Sequence, residues 1–150
     1  MNGLKNLGNT CYLNSALQFL FNIDSIVKLI LNTNNSNTDF FEIKNFVNLY
    51  FKNNKKILNP IFIKKIISKN NSLFSNFNQN DSGEFLIYLL DFININTNKS
   101  LEKLIGIKTN VEIKCKRVKC LYINSHFEID KQLFLNLQNN IDSSYRNFKN

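Results

Sequence analysis

The sequence of 150 residues has little cysteine, histidine or proline and lacks tryptophan. It contains 3 cysteines, 1 histidine, 1 proline and no tryptophan. An odd number of cysteines, with no apolar secretory segment in residues 1–5, argues against a disulfide-stabilised scaffold. The longest apolar runs fall far short of the roughly 20 residues that a membrane-spanning helix needs. We therefore expect an intracellular, cytoplasmic protein without a membrane partner, and a nuclear location is compatible with the same features.

Arginine is also scarce, which bears on the excess of positive charge. Lysine and arginine together number 19, against 11 acidic residues, for a net charge of +8. A basic protein can attract nucleic acid or an anionic membrane. However, 17 of these cationic residues are lysines that are scattered along the chain, with no dense arginine-rich tract. We interpret the charge as a solvated surface and expect no nucleic-acid partner.

The apolar residues are numerous enough for a core, and over the first two thirds of the chain they are spaced as in helices. Hydrophobic residues make up 43% of the sequence and include 14 phenylalanines. Over residues 11–21, apolar side chains follow the i, i+3, i+4, i+7 pattern of an amphipathic helix. Similar spacing and capping residues predict three further helices. One lies around residues 43–50 and ends near 53–54, a short one follows Asn59-Pro60, and one runs from Asp81 to about Ile95. Polar loops are predicted over residues 32–38 and 69–80.

After residue 104 the apolar period changes from 3.6 to 2, which is typical of strands. A half-buried strand is predicted from alternating apolar residues, namely Ile105, Ile107, Val111, Ile113 and Cys115. A second strand is predicted from Phe127, Ile129, Leu133, Leu135 and Leu137. Residues 141–150 look like the beginning of another element. A helical part followed by a stranded part indicates the α+β class.

Cys11 is the first candidate for a catalytic residue. It is expected to begin a helix, directly after a loop that contains Asn6, Gly8 and Asn9. The free N–H groups and partial positive charge of a helix N-terminus favour a thiolate and can hold the oxyanion of an acyl-transfer intermediate. Gly8 allows a tight turn, and the amide of Asn6 can supply a second oxyanion donor. The alternative is that Cys11 is a small, buried hydrophobic residue.

The complete string of residues 3–20, GLKNLGNTCYLNSALQFL, resembles the cysteine box of ubiquitin-specific proteases. The family pattern is G-L-x-N-L-G-N-T-C-Y-x-N-S-x-L-Q-x-L, and every fixed position is matched. The resemblance implies a papain-like cysteine peptidase that cleaves the isopeptide bond after the C-terminal glycine of ubiquitin. It implies Cys11 as the nucleophile, Asn6 in the oxyanion hole, and ubiquitin or ubiquitin-conjugated proteins as partners.

A second segment, QNDSGEFL over residues 79–86 with Leu-Leu-Asp over 89–91, resembles the family's Q-x-D-A-x-E-F-L and L-L-D segment. The resemblance implies that Gln79, Asp81 and Glu84 bind the basic C-terminal tail of ubiquitin. Carboxylates bind arginine strongly when the contact is bidentate. By spacing alone, Asp81 and Glu84 form a capping box, and the two roles are compatible. Ser82 stands where the family usually has alanine.

A third region resembles the family's fingers, where paired cysteines bind zinc. Here the spacing is C-x4-C, between Cys115 and Cys120, and Arg117 stands where the first cysteine of a C-x-x-C pair would be. Structural zinc needs four nitrogen or sulfur ligands, whereas this chain offers only these two cysteines and His126. We therefore predict no metal site and no cofactor, and we expect Cys115 to lie in the core.

The general base that a cysteine protease needs is missing from the expected place. In the family a histidine of the distal half takes this role, whereas the only histidine here, His126, is expected on the surface of a strand. The resemblance divides the chain into a helical thumb over residues 1–103 and the start of the fingers over 104–150, without the palm. We therefore expect an incomplete domain.

Three explanations remain open for this incomplete domain. The chain is a truncated or split deubiquitinase whose distal half is on a separate chain, a catalytically inactive ubiquitin-binding module, or the product of a degrading gene. The intact cysteine box favours the first of these explanations over the third.

Overall fold

Six α-helices, one 3-10 turn and two pairs of strands make up the residues that the structure describes. The structure is a computed structural model, and it describes residues 2–52, 56–115 and 122–130. The chain has two compact units, and the boundary between them lies between Gly106 and Ile107. The mixture of helices and small sheets confirms the predicted α+β class.

Among the described residues, the helices and the first pair of strands belong to the first unit. The helices are α1 (Cys11–Phe21), α2 (Asp24–Asn32), α3 (Thr38–Phe51), α4 (Ile61–Asn70), α5 (Ser82–Asn96) and α6 (Ser100–Ile105), with a 3-10 turn at Ser72–Phe74. The strands are β1 (Gly3–Leu4) and β2 (Ile57–Leu58). The second unit contains β3 (Ile107–Lys114) and β4 (Ile123–Asp130).

The four helices predicted from the sequence are present, with shifted ends. The second predicted helix, α3, ends at Phe51, before the expected 53–54. The third, α4, begins at Ile61 with Pro60 as its N-cap, one residue later than predicted. The side chain of Asn59 does accept a hydrogen bond from the Ile61 N–H at 3.0 Å, but it does so from one residue before the cap.

Helix α2 was not predicted, because almost nothing separates it from α1. Only Asn22 and Ile23 lie between the two helices, and neither is a proline or glycine. The side chain of Asn22 donates to the Gln18 carbonyl at 2.7 Å, and the Ile23 carbonyl accepts from the Ile26 and Val27 N–H groups. These bonds end α1 and begin α2 without a glycine or proline, which would have indicated the boundary in the sequence.

One hydrophobic core fills the first unit, and α1 contributes six buried side chains to it. The largest fully buried side chains are aromatic: Phe21, Phe40, Phe74 and Phe85 are each at most 1% exposed. Burial of one such side chain stabilises the fold by about 1.5–3 kcal/mol. Phe74 lies in a segment that was predicted to be a polar loop, and it packs against Tyr12, Phe85 and Tyr88.

The first residues of the chain are held by α3 and β2. Strand β1 pairs in parallel with β2, and Gly3 lies opposite Ile57. The side chain of Asn2, which is 4% exposed, donates to the Leu49 carbonyl at 2.8 Å and accepts from the Lys56 N–H at 3.2 Å. This pairing fixes the start of the loop that leads to Cys11.

Strands β3 and β4 form an antiparallel hairpin, with Ile107 opposite Asp130 and Lys114 opposite Ile123. The predicted strand is present as β3, whereas its predicted half-burial is wrong for the described residues, since Ile113 is 53% and Ile107 is 37% exposed. Directly opposed residues share a face of a sheet, so the apolar side chains of the two strands lie on opposite faces. Each face therefore carries an apolar row opposite a polar one.

Two further predictions concern the ends of this region. The predicted core position of Cys115 is wrong, because this residue follows β3 and is half-buried. The remaining predicted positions lie outside the described residues, namely Cys120, Leu133, Leu135, Leu137 and residues 141–150. Helix α6 belongs to the first unit, and its Leu101 is 0% exposed.

Candidate active site

The loop over residues 5–10 turns the chain from β1 into α1. Gly8 has a φ of +91° and Asn9 a φ of +46°, so two successive residues lie in the left-handed region. A Cβ atom added at Gly8 would meet no heavy atom within 4 Å. The backbone dihedral alone therefore favours glycine here.

The side chain of Asn6 is bound on one side by this loop. Its Oδ1 accepts from the Gly8 N–H at 3.1 Å, the Thr10 N–H at 3.3 Å and the Thr10 hydroxyl at 3.0 Å. Two of these donors are backbone N–H groups, which cannot accept, so the amide oxygen is the atom that faces them. The amide nitrogen of Asn6 is the free end, with no partner among the described residues, and it is held beside Thr10, the residue that precedes Cys11.

Cys11 is the first residue of α1, and it is exposed. The first helical hydrogen bond joins the Asn14 N–H to the Thr10 carbonyl at 3.2 Å. No side chain caps the helix, so the N–H groups of Cys11, Tyr12 and Leu13 have no partner among the described residues. Loss of an N-cap bond costs about 1 kcal/mol, and here it leaves donors beside the Cys11 sulfur.

Asn14 closes the loop from the other side, one helical turn beyond Cys11. Its Nδ2 donates to the Lys5 carbonyl at 3.3 Å. Its Oδ1 is buried and has no hydrogen-bond partner among the described residues. The bond to Lys5 joins the beginning of the loop to the helix that follows it.

Tyr12 connects the start of α1 to the core. Its ring is 3% exposed and packs against Phe74 and Phe85, with centroid separations of 6.0 and 5.5 Å. Burial raises the pKa of the Tyr12 hydroxyl, the Asn80 side chain opposes part of that rise, and negative charge on Cys11 adds to it. Within the described part of the chain, the hydroxyl reaches no hydrogen-bond partner of ordinary geometry.

Asp81 is the N-cap of α5, as predicted. Its Oδ1 accepts from the Glu84 N–H at 2.7 Å. The reciprocal bond of a capping box, from the Asp81 N–H to the Glu84 carboxylate, is not formed among the described residues, so only half of the predicted box is present. The Glu84 carboxylate therefore lies on the first turn of α5 without this bond. Gln79 lies just before the helix and is exposed.

Lys64 is a feature that the sequence did not indicate, because the lysines were interpreted as surface residues. It is 3% exposed, and its Nζ donates to the Phe74 carbonyl. The same ammonium lies 4.6 Å from the centroid of the Phe77 ring. Burial lowers the pKa of Lys64. The Lys64 ammonium thus joins α4 to the segment that leads to Gln79 and α5 through these two contacts.

His126, the only histidine of the sequence, lies on β4 in the second unit and is exposed, as predicted. Its Nε2 lies 2.8 Å from Glu128 Oε1. The described residues of the first unit thus bring together Cys11, free helical N–H groups and the Asn6 amide but supply no imidazole. No group of three potential metal ligands occurs among the described residues. In the same part of the chain, no helix is both long and apolar enough to cross a membrane.

Comparisons with known proteins agree with the motif that surrounds Cys11. Residues 2–142 match the family model for ubiquitin carboxyl-terminal hydrolases. Ubiquitin carboxyl-terminal hydrolase 12 of Saccharomyces cerevisiae is 34% identical over 119 residues, covering 67% of this chain and 10% of the yeast protein. Ubiquitin carboxyl-terminal hydrolase 37 of Bos taurus is 29% identical over 155 residues, covering 88% of this chain and 15% of the bovine protein. The chain spans between 10% and 15% of the length of these relatives.

Proposed function

The chain belongs to the ubiquitin carboxyl-terminal hydrolase family, and we propose that it acts as a thiol-dependent deubiquitinase with Cys11 as its nucleophile. The observation that carries this proposal is the uncapped start of α1. Free helical N–H groups lie at an exposed cysteine, and the Asn6 amide is held by three hydrogen bonds on its oxygen side.

The chemistry proposed for Cys11 is acyl transfer from the C-terminal glycine of ubiquitin. The sulfur attacks the carbonyl carbon of the isopeptide bond, and negative charge develops on the carbonyl oxygen. The Cys11 N–H and the Asn6 Nδ2 donate to that oxygen, and preorganised donors of this kind provide a large part of the catalysis in such reactions. The leaving lysine amine takes a proton, and the resulting thioester is then hydrolysed.

A base is needed to take the thiol proton and return it to the amine. The first unit offers no histidine, since His126 belongs to the second unit. We assign this role to a histidine outside these 150 residues, in the distal half of the family domain.

The proposed substrate contact is the basic C-terminal tail of ubiquitin, bound by Gln79, Asp81 and Glu84. Support comes from the half-formed capping box, which leaves the Glu84 carboxylate without a partner among the described residues. Asp81 has two oxygens, and the bond to the Glu84 N–H uses only Oδ1. Each carboxylate can therefore accept charge-assisted hydrogen bonds from a cationic side chain.

The proposal is tested by treating this chain with a ubiquitin probe. In the probe, a thiol-reactive group replaces the C-terminal carboxylate of ubiquitin. We expect a covalent adduct that peptide mapping assigns to Cys11 and that the Cys11→Ala variant does not form. A free electrophile without ubiquitin serves as the control for simple thiol reactivity. A folded sample that reacts no faster with the ubiquitin probe than with the free electrophile, both with and without the distal half of the domain, contradicts the proposal.

The second candidate is a ubiquitin-binding module without turnover, which is favoured by the lack of any histidine other than His126 in the sequence. Titration of fluorescent ubiquitin tests the contact that both functions share, because binding needs Asp81 and Glu84 but not Cys11, whereas the covalent adduct at Cys11 is expected of the deubiquitinase alone. We expect the Asp81→Lys/Glu84→Lys variant to bind more weakly and the Cys11→Ala variant to bind as the parent chain does. Unchanged affinity in the double variant contradicts this contact in both candidate functions.

A further inference from the structure

Thr10 is completely buried, at 0% exposure, directly before the exposed Cys11. Its hydroxyl makes two hydrogen bonds, both to the loop. It accepts from the Leu7 N–H at 2.9 Å and donates to Asn6 Oδ1 at 3.0 Å. The Thr10 N–H donates to the same oxygen at 3.3 Å. Thr10 thus contributes two of the three donors that hold the Asn6 amide.

The position of Thr10 in α1 makes this use of its hydroxyl unusual. It is the N-cap residue, where a threonine side chain ordinarily accepts from an N–H of the first helical turn. Here it forms no such bond. The one hydroxyl therefore has two effects, because it orients the Asn6 amide and leaves the first N–H groups of α1 without a side-chain partner.

We propose that Thr10 is a positioning residue of the oxyanion hole, which it builds by turning the Asn6 amide nitrogen outward and by leaving the start of α1 uncapped. The inference rests on the proposed roles of Cys11 and Asn6. Without the hydroxyl, Asn6 Oδ1 loses one donor and the Leu7 N–H loses its acceptor. The amide oxygen then keeps only the backbone N–H groups of Gly8 and Thr10 as donors, so the amide is held less firmly, and an amide oxygen turned toward the developing oxyanion repels it.

The step in which this matters is acyl transfer to Cys11. The bond from Sγ to the carbonyl carbon forms, and the π electron pair moves onto the carbonyl oxygen. The Cys11 N–H and Asn6 Nδ2 donate to that oxygen while it is negative. The pair then returns and the bond to the leaving group breaks. Alkylation of the same sulfur by iodoacetamide displaces iodide and forms no oxyanion, so Thr10 should not affect it.

Two reactions of this chain separate an effect on the oxyanion from a general effect on the Cys11 sulfur, and neither reaction depends on ubiquitin. The first is acetylation of Cys11 by p-nitrophenyl acetate, in which p-nitrophenolate leaves and is observed in a single turnover. The second is alkylation by iodoacetamide, followed by mass spectrometry of the peptide that contains Cys11. Rates measured for the Cys11→Ala variant are subtracted to remove reactions of the other cysteines and the lysines.

We expect Thr10→Val, which keeps the shape of the side chain but removes the hydroxyl, to slow acetylation by about 10- to 100-fold, part of the loss that follows removal of a whole donor. Alkylation should stay within about twofold of the parent rate, and Thr10→Ser should restore acetylation because it restores the hydroxyl. Equal losses in both reactions, or no loss in either, would overturn the proposal.

A double-variant cycle tests whether Thr10 acts through Asn6. In an Asn6→Ala background, Thr10→Val should change the acetylation rate little, because the group that it positions is already gone. Independent, multiplicative losses would overturn the proposal even if both single variants are slow. If Thr10→Val does not fold, Thr10→Ser and Thr10→Ala in both backgrounds provide the same cycle. Failure of the ubiquitin probe with an intact cycle would contradict the proposed function alone.

Discussion

The rings of Tyr12 and Phe85 meet edge to face, with their centroids 5.5 Å apart and their planes at 71°. Each residue belongs to the first turn of its helix, Tyr12 in α1 and Phe85 in α5. The contact therefore joins the two helices at their N-terminal ends. Cys11 and the carboxylate of Glu84 are the sequence neighbours of these rings, so the candidate nucleophile and the candidate tail-binding residues lie at the same end of the first unit.

The first prediction concerns this aromatic contact. Phe85 is 0% exposed and also contacts Phe74, so Phe85→Ala should lower the free energy of unfolding by about 3–5 kcal/mol. Urea denaturation monitored by circular dichroism measures the change. Phe41→Ala is the matched control, because Phe41 is 55% exposed, and the loss there should stay below about 1 kcal/mol. Similar losses in the two variants would show that this contact is not part of the core.

The second prediction concerns Gly8. Its φ of +91° is unfavourable for a residue with a Cβ, although the space around it is open. Gly8→Ala should therefore destabilise the chain by about 1–2 kcal/mol through the backbone alone. In Gly3→Ala, the new Cβ would lie 3.9 Å from Ile57 Cγ1, an ordinary contact, so this control should cost less. A Gly8→Ala variant as stable as Gly3→Ala would contradict the left-handed turn before Cys11.

Local sequence signals predicted the features that neighbouring residues determine. The start of α1 at Cys11, the cap at Asp81 and the tight turn at Gly8 are of this kind. Contacts between distant residues escaped prediction. Lys64 was interpreted as a surface lysine, because only the folded chain brings the Phe74 carbonyl and the Phe77 ring to it.

The same limit applies to the candidate site. The residue types around Cys11 suggested oxyanion donors, and Asn6 was named from the motif and its distance in sequence. The use of the Thr10 hydroxyl could not be predicted, since a threonine before a helix ordinarily indicates a cap. Helix α2 was missed for a related reason, because no glycine or proline separates it from α1.

The third prediction concerns the pH dependence of stability that Lys64 contributes. Burial lowers the pKa of Lys64 in the folded chain below its usual value of 10.5. Between those two pKa values the unfolded chain binds more protons at this site, so the contribution of Lys64 to the free energy of unfolding rises as pH increases. Below the folded pKa the penalty for burying the charge is fully present.

Lys64→Met isolates this effect, because the other lysines and the tyrosines titrate in both proteins. The burial-raised pKa values of Tyr12 and Tyr50 therefore cancel in the comparison. Urea denaturation from pH 7 toward 10.5 should show the stability of the parent chain rising relative to Lys64→Met. A difference that is constant or falls with pH would contradict the burial of a charged lysine under Phe77.

The fourth prediction separates the two roles of Asp81. Its Oδ1 caps α5 by accepting from the Glu84 N–H, and its charge is proposed to bind the ubiquitin tail. Asparagine caps a helix as well as aspartate does, whereas alanine costs about 1 kcal/mol. We therefore expect Asp81→Asn to keep the stability of the parent chain and Asp81→Ala to lose about that amount, as measured by urea denaturation.

Ubiquitin binding should follow the charge at Asp81 and not the cap. Titration of fluorescent ubiquitin should show a similar loss of affinity for Asp81→Asn and Asp81→Ala, because both remove the carboxylate. A charge-assisted hydrogen bond contributes about 1.5–3 kcal/mol, which corresponds to a loss of roughly 10- to 150-fold. Glu84→Gln should lose affinity without loss of the cap, since the backbone N–H of residue 84 is retained. Full affinity in Asp81→Asn with a weakened Asp81→Ala would assign Asp81 to the helix alone and leave Glu84 as the carboxylate that contacts the tail.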